Sequence, residues 1–435
     1  MAQPRVLAQP LKFLHAADLH IDSPMRGLER YDEAPVEALR GATRSALENL
    51  VQLALDERVD FLLLAGDLYD GQWRDYGTGL FFVRQMARLE TAGIQVFCLY
   101  GNHDAESKLG KKLVLPANVK VFKHDKAHTH LAPELGIAVH GQSFASAAVT
   151  EDLAADYPES VPGLFNIGLL HTGLEGRPGH GRYAPTSLDV LRTKGYRYWA
   201  LGHIHKREVV CEDPWVVFPG NLQGRHSRET GPKGATLVSV DDAHQCTLEE
   251  RSLDVVRWSV LRLDATECES AEALLEQIEE ALESAIEQAD GRLLAARIEV
   301  RGTTPVHHAL SAEHKHWTQQ IRALGLRLGE DSLFIERIKL LTRAPLDLES
   351  LRERDDPTGC VARRLQELRE NPEQLERLGE RLGMELAGFL KKLPAEATEL
   401  DEEGEGLGCD AARLASNLDE VEQLLLSRLQ QGEAT

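Results

Sequence analysis

The sequence has no CxxC pair. Its six cysteines, Cys98, Cys211, Cys246, Cys268, Cys360 and Cys409, are scattered over 435 residues. That scatter argues against a zinc ribbon or a disulfide frame and suits free thiols in a reducing compartment. No run of about twenty apolar residues occurs, which excludes a membrane-spanning helix. The opening residues lack the charged start, apolar run and small-residue cleavage site of a secretory leader. The expectation is a cytoplasmic protein with no membrane partner. A Walker A sequence is also missing, so any ATP-driven step must come from another protein. Aromatic residues are only 6% of the chain, and they form no stacking platform for single-stranded bases. Positive charge is short too. Against 70 Asp+Glu there are 49 Lys+Arg, a net charge of −21, which argues against a general nucleic-acid coat.

The acid excess is uneven. Residues 1–250 hold 26 basic and 32 acidic residues, a net of −6; residues 251–435 hold 23 and 38, a net of −15. The first part is therefore open to a phosphate substrate. There, short apolar runs alternate with helical patterns. Strands are predicted at 12–18, 61–67, 94–102, 119–122, 136–144, 166–173, 198–205, 215–221 and 234–240. Helical spacing covers 35–58, through Val36, Leu39, Leu47, Leu50, Val51 and Ala54, and also 78–92. Strands alternating with helices imply layered α/β architecture. Near 250 the style changes to a small α+β pattern, with strands at 255–264 and 293–301 around a Glu-rich helix at 270–289. Beyond 345 the pattern is helical and charged. The acidic stretch 395–408 reads as a linker. Residues 410–430 read as a last amphipathic helix with Leu414, Leu418, Val421, Leu424, Leu425 and Leu429 on one face.

Several strands end in residues able to bind a metal. HAADLHID gives Asp18 and His20, AGDLYDG gives Asp67 and Asp70, and YGNHDAE gives Asn102, His103 and Asp104. NIGLLHTG gives His171, and YWALGHIHKRE gives His203 and His205. In extended chain, positions two apart face the same side, so His203 and His205 can present two imidazoles to one point. Taken alone, each of these residues reads as well as a cap, a turn or a surface histidine. Five such endings in order read as one site, because α/β sheets gather their sites beyond the carboxyl ends of strands. The donors are Asp, His and Asn without thiolate, which suits Mn²⁺, Fe²⁺ or Zn²⁺. They are numerous enough for two ions, and two ions can hold both the attacking and the leaving oxygen of an in-line phosphoester displacement.

The order DxH, GDxxD, GNHD, H, GHxH resembles the calcineurin-like metallophosphoesterase superfamily. Within it the chain resembles the Mre11/SbcD DNA nucleases, and most of all the YhaO-type bacterial DNA repair exonucleases, through HAADLHIDSPMRGL (15–28), YWALGHIHKRE (198–208) and FPGNLQGRHSRETGPKG (218–234). The resemblance implies a metallophosphoesterase β-sandwich flanked by helices over 1–250. It further implies a small α+β capping domain over 251–344 and a helical, acidic region over 345–435. Asp18, His20 and His205 would hold one metal, Asn102, His171 and His203 the other, and Asp67 would bridge them. His103 would stand beside the scissile phosphate, to protonate the leaving oxygen or stabilise charge. Asp70 corresponds to an acid that orients this histidine in the phosphatase branch; archaeal Mre11 proteins carry a histidine there. The implied cofactor is two divalent ions, Mn²⁺ first among them, and the implied chemistry is attack by a metal-bridging hydroxide.

DNA is the expected substrate, with an SbcC- or YhaN-like SMC-type ATPase as partner. Alternatives are a phosphodiesterase for a small nucleotide, or a DNA-end scaffold with an idle metal site. Relatives dimerise through helices of the nuclease domain, which leaves a homodimer open here. The apolar stripe of 410–430 suits a partner or the chain's own helices equally. Arg207, Arg225 and His226 are candidates for substrate contact, as is His180. Lys108, Lys111, Lys112, Lys206, Arg228 and Lys233 are candidate rim cations. Asp104 reads as a helix cap or an indirect catalytic group, and Asp22 with Ser23 as a turn before Pro24. His124, His128 and His130 read as surface residues. HHALSAEHKH (307–316) reads as a solvated helix start.

Overall fold

The computed structural model describes residues 10–23, 36–70, 76–105, 113–174, 183–329, 331–345 and 347–390, with 414, 415, 417, 418, 421, 422, 425, 426 and 429 of the last helix. It divides into two compact units. One comprises Met1–Leu261, Ala281–Arg297 and Leu324–Arg337; the other comprises Arg262–Glu280, Ile298–Ala323 and Ile338–Thr435.

The first unit is layered. Strand β1 (Leu11–Ala16) leads through helix α1 (Val36–Asp56) to β2 (Phe61–Ala65), and α2 (Tyr76–Thr91) leads on to β3 (Gln95–Leu99). β1, β2 and β3 run parallel. A single helical turn, α3 (Asn102–Ala105), and the short β4 (Val119–Val121) follow. The second sheet begins with β5 (His128–Ala132) and β6 (Ile137–Gly141). It continues with β7 (Phe165–His171), helix α4 (Leu188–Thr193), β8 (Tyr198–Gly202), β9 (Glu208–Glu212) and β10 (Trp215–Phe218). The chain then returns to the first sheet with β11 (Gly234–Val240) and β12 (Cys246–Ser252). The two sheets have the orders β12-β11-β1-β2-β3-β4 and β5-β6-β7-β8-β10-β9.

Apolar side chains fix the layers. Phe13, Phe61, Leu63 and Phe97 of the first sheet pack against Val139, Phe165, Ile167, Leu169 and Tyr198 of the second. The opposite face of the first sheet, Leu14, Leu62, Leu64 and Val96, packs on Leu47, Leu50 and Val51 of α1 and Phe82 and Met86 of α2. Trp199, Leu201, Val216 and Phe218 form the outer face of the second sheet and meet Leu191 of α4. Strands buried on both faces explain the near-continuous apolar runs in the sequence, FLLLA above all. This is the expected sandwich flanked by helices.

Three strands missed in the sequence, β5, β9 and β12, lie at or next to sheet edges and are mixed in polarity and exposure. Beyond them, β13 (Val256–Asp264), α5 (Ala271–Gln288) and β14 (Leu293–Thr303) were anticipated. β15 (Leu333–Arg343), which completes the sheet order β13-β14-β15, was not. HHALSAEHKH spans α6 (His307–Ala312) and the start of α7 (His314–Gly329), with His308, His314 and His316 exposed.

In the second unit, α8 (Leu348–Glu353), α9 (Pro357–Glu370) and α10 (Pro372–Leu390) follow one another. Asp347 and Asp356 cap the first two through the N–H groups of Ser350 and Gly359. The final helical residues pack back onto them. Leu426 is buried against Leu351 and Ala362, and the buried Glu422 carboxylate accepts a 2.8 Å hydrogen bond from Arg369 and lies 3.8 Å from Arg352. Val421 and Leu425 of the same stretch stay exposed. The stripe expected at 410–430 is therefore divided, one side packed on the chain and the other outward. Leu424 and the linker 395–408 lie outside the described residues.

Among the described residues, no helix is long and apolar enough to cross a membrane. The five described cysteines are free thiols. His124 is exposed as expected, but His130 is half-buried: its ring lies 4.7 Å from Phe122, and burial lowers its pKa.

Candidate metal centre

The carboxyl ends of β1, β2, β3, β7 and β8 bring their polar residues to one place. The loops after β1 and β2 run side by side, with the N–H groups of Asp18 and His20 donating to the carbonyls of Gly66 and Asp67, both at 3.0 Å. The chain turns sharply here. Asp18, His20, Asp22, Asp67 and His203 all have left-handed φ, from +42° at His20 to +100° at His203. Asp and His tolerate this region better than branched residues, and such strain persists only where surroundings over-determine it. Close approach also demands glycine. A Cβ on Gly101 would lie 2.3 Å from Asp67 Oδ1, and one on Gly202 would lie 1.9 Å from the Ala65 carbonyl oxygen.

Three overlapping groups have ligand atoms within 4.8 Å of one another: Asp18, His20 and His205; His20, Asp67 and His103; and Asp18, Asp67 and His171. Asp67 belongs to two of them. His171 illustrates why the centre suits cations. Its Nδ1 faces the Ala65 carbonyl at 2.9 Å, an acceptor, so Nδ1 carries a proton. Its Nε2 then faces two further acceptors, Asn102 Oδ1 at 2.9 Å and Asp67 Oδ2 at 3.4 Å. Three acceptor atoms converging on one point require a proton or a metal between them. The rings of His20 and His205 likewise face each other Nε2 to Nε2 at 3.3 Å. His20 Nδ1 is buried without a hydrogen-bond partner. The donor set therefore fits divalent ions.

The electrostatics agree. Burial lowers the His171 pKa, but the Asp67 carboxylate outweighs it and lifts it to about 9. Asp67 is penalised by burial, yet His171 holds it well below the usual carboxylate range. Burial raises Asp18. Burial, aided by the Arg225 charge, drives His20 well below its usual value and keeps it neutral, the form that ligates.

His103 stands at the rim. Its N–H donates to Asp67 Oδ1 at 2.9 Å, and its Nδ1 lies 2.9 Å from Asp70 Oδ1. Burial lowers its pKa, but the Asp70 hydrogen bond and the Asp67 charge outweigh that and raise it. His203 donates its backbone N–H to the Asp18 carboxylate at 3.0 Å, and its ring lies 5.2 Å from that of His171. Its side chain is outside the three converging groups, although the resemblance makes it a ligand.

The expected substrate contacts divide. Arg225 reaches the centre, with one guanidinium nitrogen 3.4 Å from His205 Nδ1 and another 3.3 Å from Ser23 Oγ. Arg207 is engaged elsewhere, donating to Thr236 Oγ1 and pairing with Glu250 at 3.1 Å. His226 is exposed, with Nε2 3.6 Å from Glu229. Lys206 and Arg228 are exposed, consistent with a rim, but Lys233 is buried and donates to the His205 carbonyl at 2.9 Å. It braces the ligand loop from below. Lys108, Lys111, Lys112 and His180 lie outside the described residues.

Several further residues hold the centre in place, and one of them, Glu229, escaped the sequence reading. Asp104, buried, accepts from the N–H groups of Leu68, Tyr69 and Gly101 and so ties the GDLYD loop to the GNHD loop; burial raises it to about 7. Its role at the centre is therefore indirect, through the two loops it joins. Asp22 takes a bidentate pair of 2.6 Å bonds from Arg44 of α1 and a hydrogen bond from Thr78 of α2, which anchors the turn after His20. Ser23 Oγ donates to Asp70 at 3.0 Å. Glu229 contacts His205 Nδ1 at 2.7 Å. A metal-binding imidazole usually needs an acceptor on its far nitrogen, and Glu229 lies in the loop quoted for the resemblance, so that rule was the available signal.

A two-sheet sandwich with Asp, His and Asn converging at parallel strand ends defines a metallophosphoesterase. Residues 11–207 match the calcineurin-like phosphoesterase family, and residues 258–343 match the middle domain of metallophosphoesterase YhaO. The chain is 35% identical over 335 residues to the uncharacterized metallophosphoesterase YhaO of Bacillus subtilis (strain 168), covering 76% of this chain and 81% of that protein. It belongs to the calcineurin-like phosphoesterases of the YhaO type. More distant likeness reaches the DNA double-strand break repair protein Mre11 of Sulfurisphaera tokodaii, 24% identical over 58% of this chain and 65% of that protein. The Mre11 of Saccharolobus solfataricus is 23% identical over 48% and 52%.

Proposed function

We propose that this chain is a two-metal phosphodiesterase that hydrolyses DNA as an exonuclease or endonuclease, in DNA repair, together with an SMC-type ATPase. The observation that carries the reading is the His103–Asp70 pair set beside the converging donors Asp18, His20, Asp67, His171 and His205. An idle or purely structural metal site has no need of a histidine held at the rim by its own carboxylate.

In this reading Asp18, His20 and His205 hold one ion, Asn102, His171 and His203 hold the other, and Asp67 serves both. Its carboxylate lies 3.8 Å from His20 Nε2 and 3.4 Å from His171 Nε2, one residue of each set, which supports that role. When bound, the ions supply a water of lowered pKa and neutralise the phosphoryl oxygens, with Mn²⁺ as the first candidate. Asp70 fixes the His103 ring through Nδ1 and favours its charged form, whose Nε2–H can be given to the departing oxygen. Arg225 adds positive charge beside the scissile group, held in place by Ser23 and Glu229. Lys206 and Arg228 at the surface suit contact with the phosphate backbone, which gives affinity without sequence preference. The ATPase partner rests on the likeness to Mre11-type nucleases and on the missing Walker A. The outward residues Val421 and Leu425 offer the partner an apolar edge.

The test incubates purified protein with Mn²⁺ and end-labelled duplex or single-stranded DNA, and in parallel with bis-p-nitrophenyl phosphate. The His103→Asn protein is the control. Cleavage of DNA by the wild type and its loss in the variant, with metal content retained, is the expected result. Equal hydrolysis by the variant would overturn the mechanism, and cleavage of the small diester alone would shift the substrate to a small nucleotide.

A further inference from the structure

We propose that Glu229 is a positioning residue of the metal centre, one that fixes the ring of His205 so that Nε2 is presented to Asp18 and His20. The proposal rests on the metal-centre reading above.

The geometry decides the tautomer. Glu229 Oε1 lies 2.7 Å from His205 Nδ1. An ionised carboxylate only accepts, so Nδ1 carries the hydrogen. Arg225 also approaches Nδ1, but at 3.4 Å and as a donor, so it does not compete for that hydrogen. Nε2 is left with its lone pair, 3.3 Å from His20 Nε2 and 3.9 Å from Asp18 Oδ1. A carboxylate behind a metal-binding imidazole both sets the tautomer and raises the basicity of the ligating nitrogen.

Glu229 is itself immobilised. It is buried, and it accepts from Asn221 Nδ2 at 2.9 Å, the Arg225 N–H at 2.7 Å and the Arg225 guanidinium at 3.1 Å. Its loop is braced on both sides. Gln223 accepts from the N–H of Val255 and donates to the carbonyl of Val256, Trp258 Nε1 donates to the Gly224 carbonyl at 2.9 Å, and Gly231 N–H donates to the Trp258 carbonyl at 3.1 Å. The carboxylate is thus a fixed point against which a ligand on a different loop is oriented.

Two measurements test this. Metal-free protein labelled with ¹⁵N-histidine should show His205 as the Nδ1–H tautomer; the Nε2–H tautomer would overturn the proposal without any variant. Mn²⁺ titration, followed by the electron paramagnetic resonance signal of the free ion, should show two sites in the wild type. In Glu229→Gln one of them should be weakened by about 10- to 100-fold and the other unchanged. In a His205→Asn background, Glu229→Gln should add no further loss. Wild-type affinity in Glu229→Gln, or an equal added loss without His205, would remove the role assigned to Glu229 and leave the metal centre standing. Wild-type protein that binds no Mn²⁺ would overturn both.

Discussion

Gly101→Ala tests how tightly the geometry of the centre is set. The added Cβ would lie 2.3 Å from Asp67 Oδ1 and 2.8 Å from Asp67 N, whereas real Cβ contacts essentially never fall below 3.0 Å. The carboxylate must therefore retreat by about 0.7 Å. Ligand distances at a metal tolerate only about 0.2 Å. Asp67 cannot swing aside freely, because its Oδ1 accepts from His103 N–H and its backbone is in the left-handed region. A displacement near 1 Å at reacting groups costs about 100-fold in rate. The expected result is a fall of about that size in hydrolysis of bis-p-nitrophenyl phosphate at saturating Mn²⁺, with fewer ions retained per chain after dialysis. Gly41→Ala is the matched control. Nothing lies within 4 Å of its Cβ position inside α1, so it should leave activity alone and add up to about 1 kcal/mol of stability. If Gly101→Ala kept both ions and an activity within a few-fold of wild type, the close packing of the two loops would have no functional weight and the argument would fail.

Other consequences are equally open to measurement. Burial drives the His15 pKa from 6.5 down to about 3. The unfolded chain takes up a proton below about pH 6.5 that the folded chain refuses, so stability is full above that pH and falls as the pH drops toward about 3. His15 alone should account for a loss of about 2 kcal/mol by pH 5, visible as a shallower pH dependence of urea unfolding in metal-free His15→Gln. Burial likewise raises the Cys98 thiol well above its usual value. Iodoacetamide at neutral pH should therefore label the exposed Cys360 and spare Cys98 in peptide mass spectra of the native protein. Glu422→Ala removes the carboxylate that Arg369 and Arg352 share, and should destabilise the C-terminal helices by about 1–3 kcal/mol. Faster tryptic cleavage of that region in the variant is the expected sign; unchanged cleavage would mean that the packing of Leu426 suffices.

Much of the centre was legible because its residues lie at strand ends, where sequence neighbours remain neighbours in space. DLH, GDLYD, GNHD and GHIH each carry two or more of the residues in question, and the parallel sheet brings the ends together. Supporting residues had no such local mark. Glu229 is 24 positions from His205 and looks like any loop acid until the far side of the imidazole is asked for. Arg207, close to His205 in sequence, turns to Thr236 and Glu250 instead, and adjacency misled. Lys233 was expected at the rim from its place in the loop, yet it is buried and donates to the His205 carbonyl. In the fold, strands buried on both faces announced themselves as apolar runs. The edge strands, such as β9 with EVVCE and β12 with CTLEERS, did not, since half of their positions meet water.

The centre draws its residues from both sheets: Asp18, His20, Asp67 and Asn102 follow β1, β2 and β3, while His171 ends β7 and His205 follows β8. Ions held there would cross-link the two halves of the sandwich at the end where His20 and His205 face each other. Occupancy and folding are then one equilibrium. An ion present at 100 times its dissociation constant adds about 2.7 kcal/mol to the folded state. The melting temperature would then gauge the free metal concentration, and metal starvation would loosen the very sandwich that builds the site.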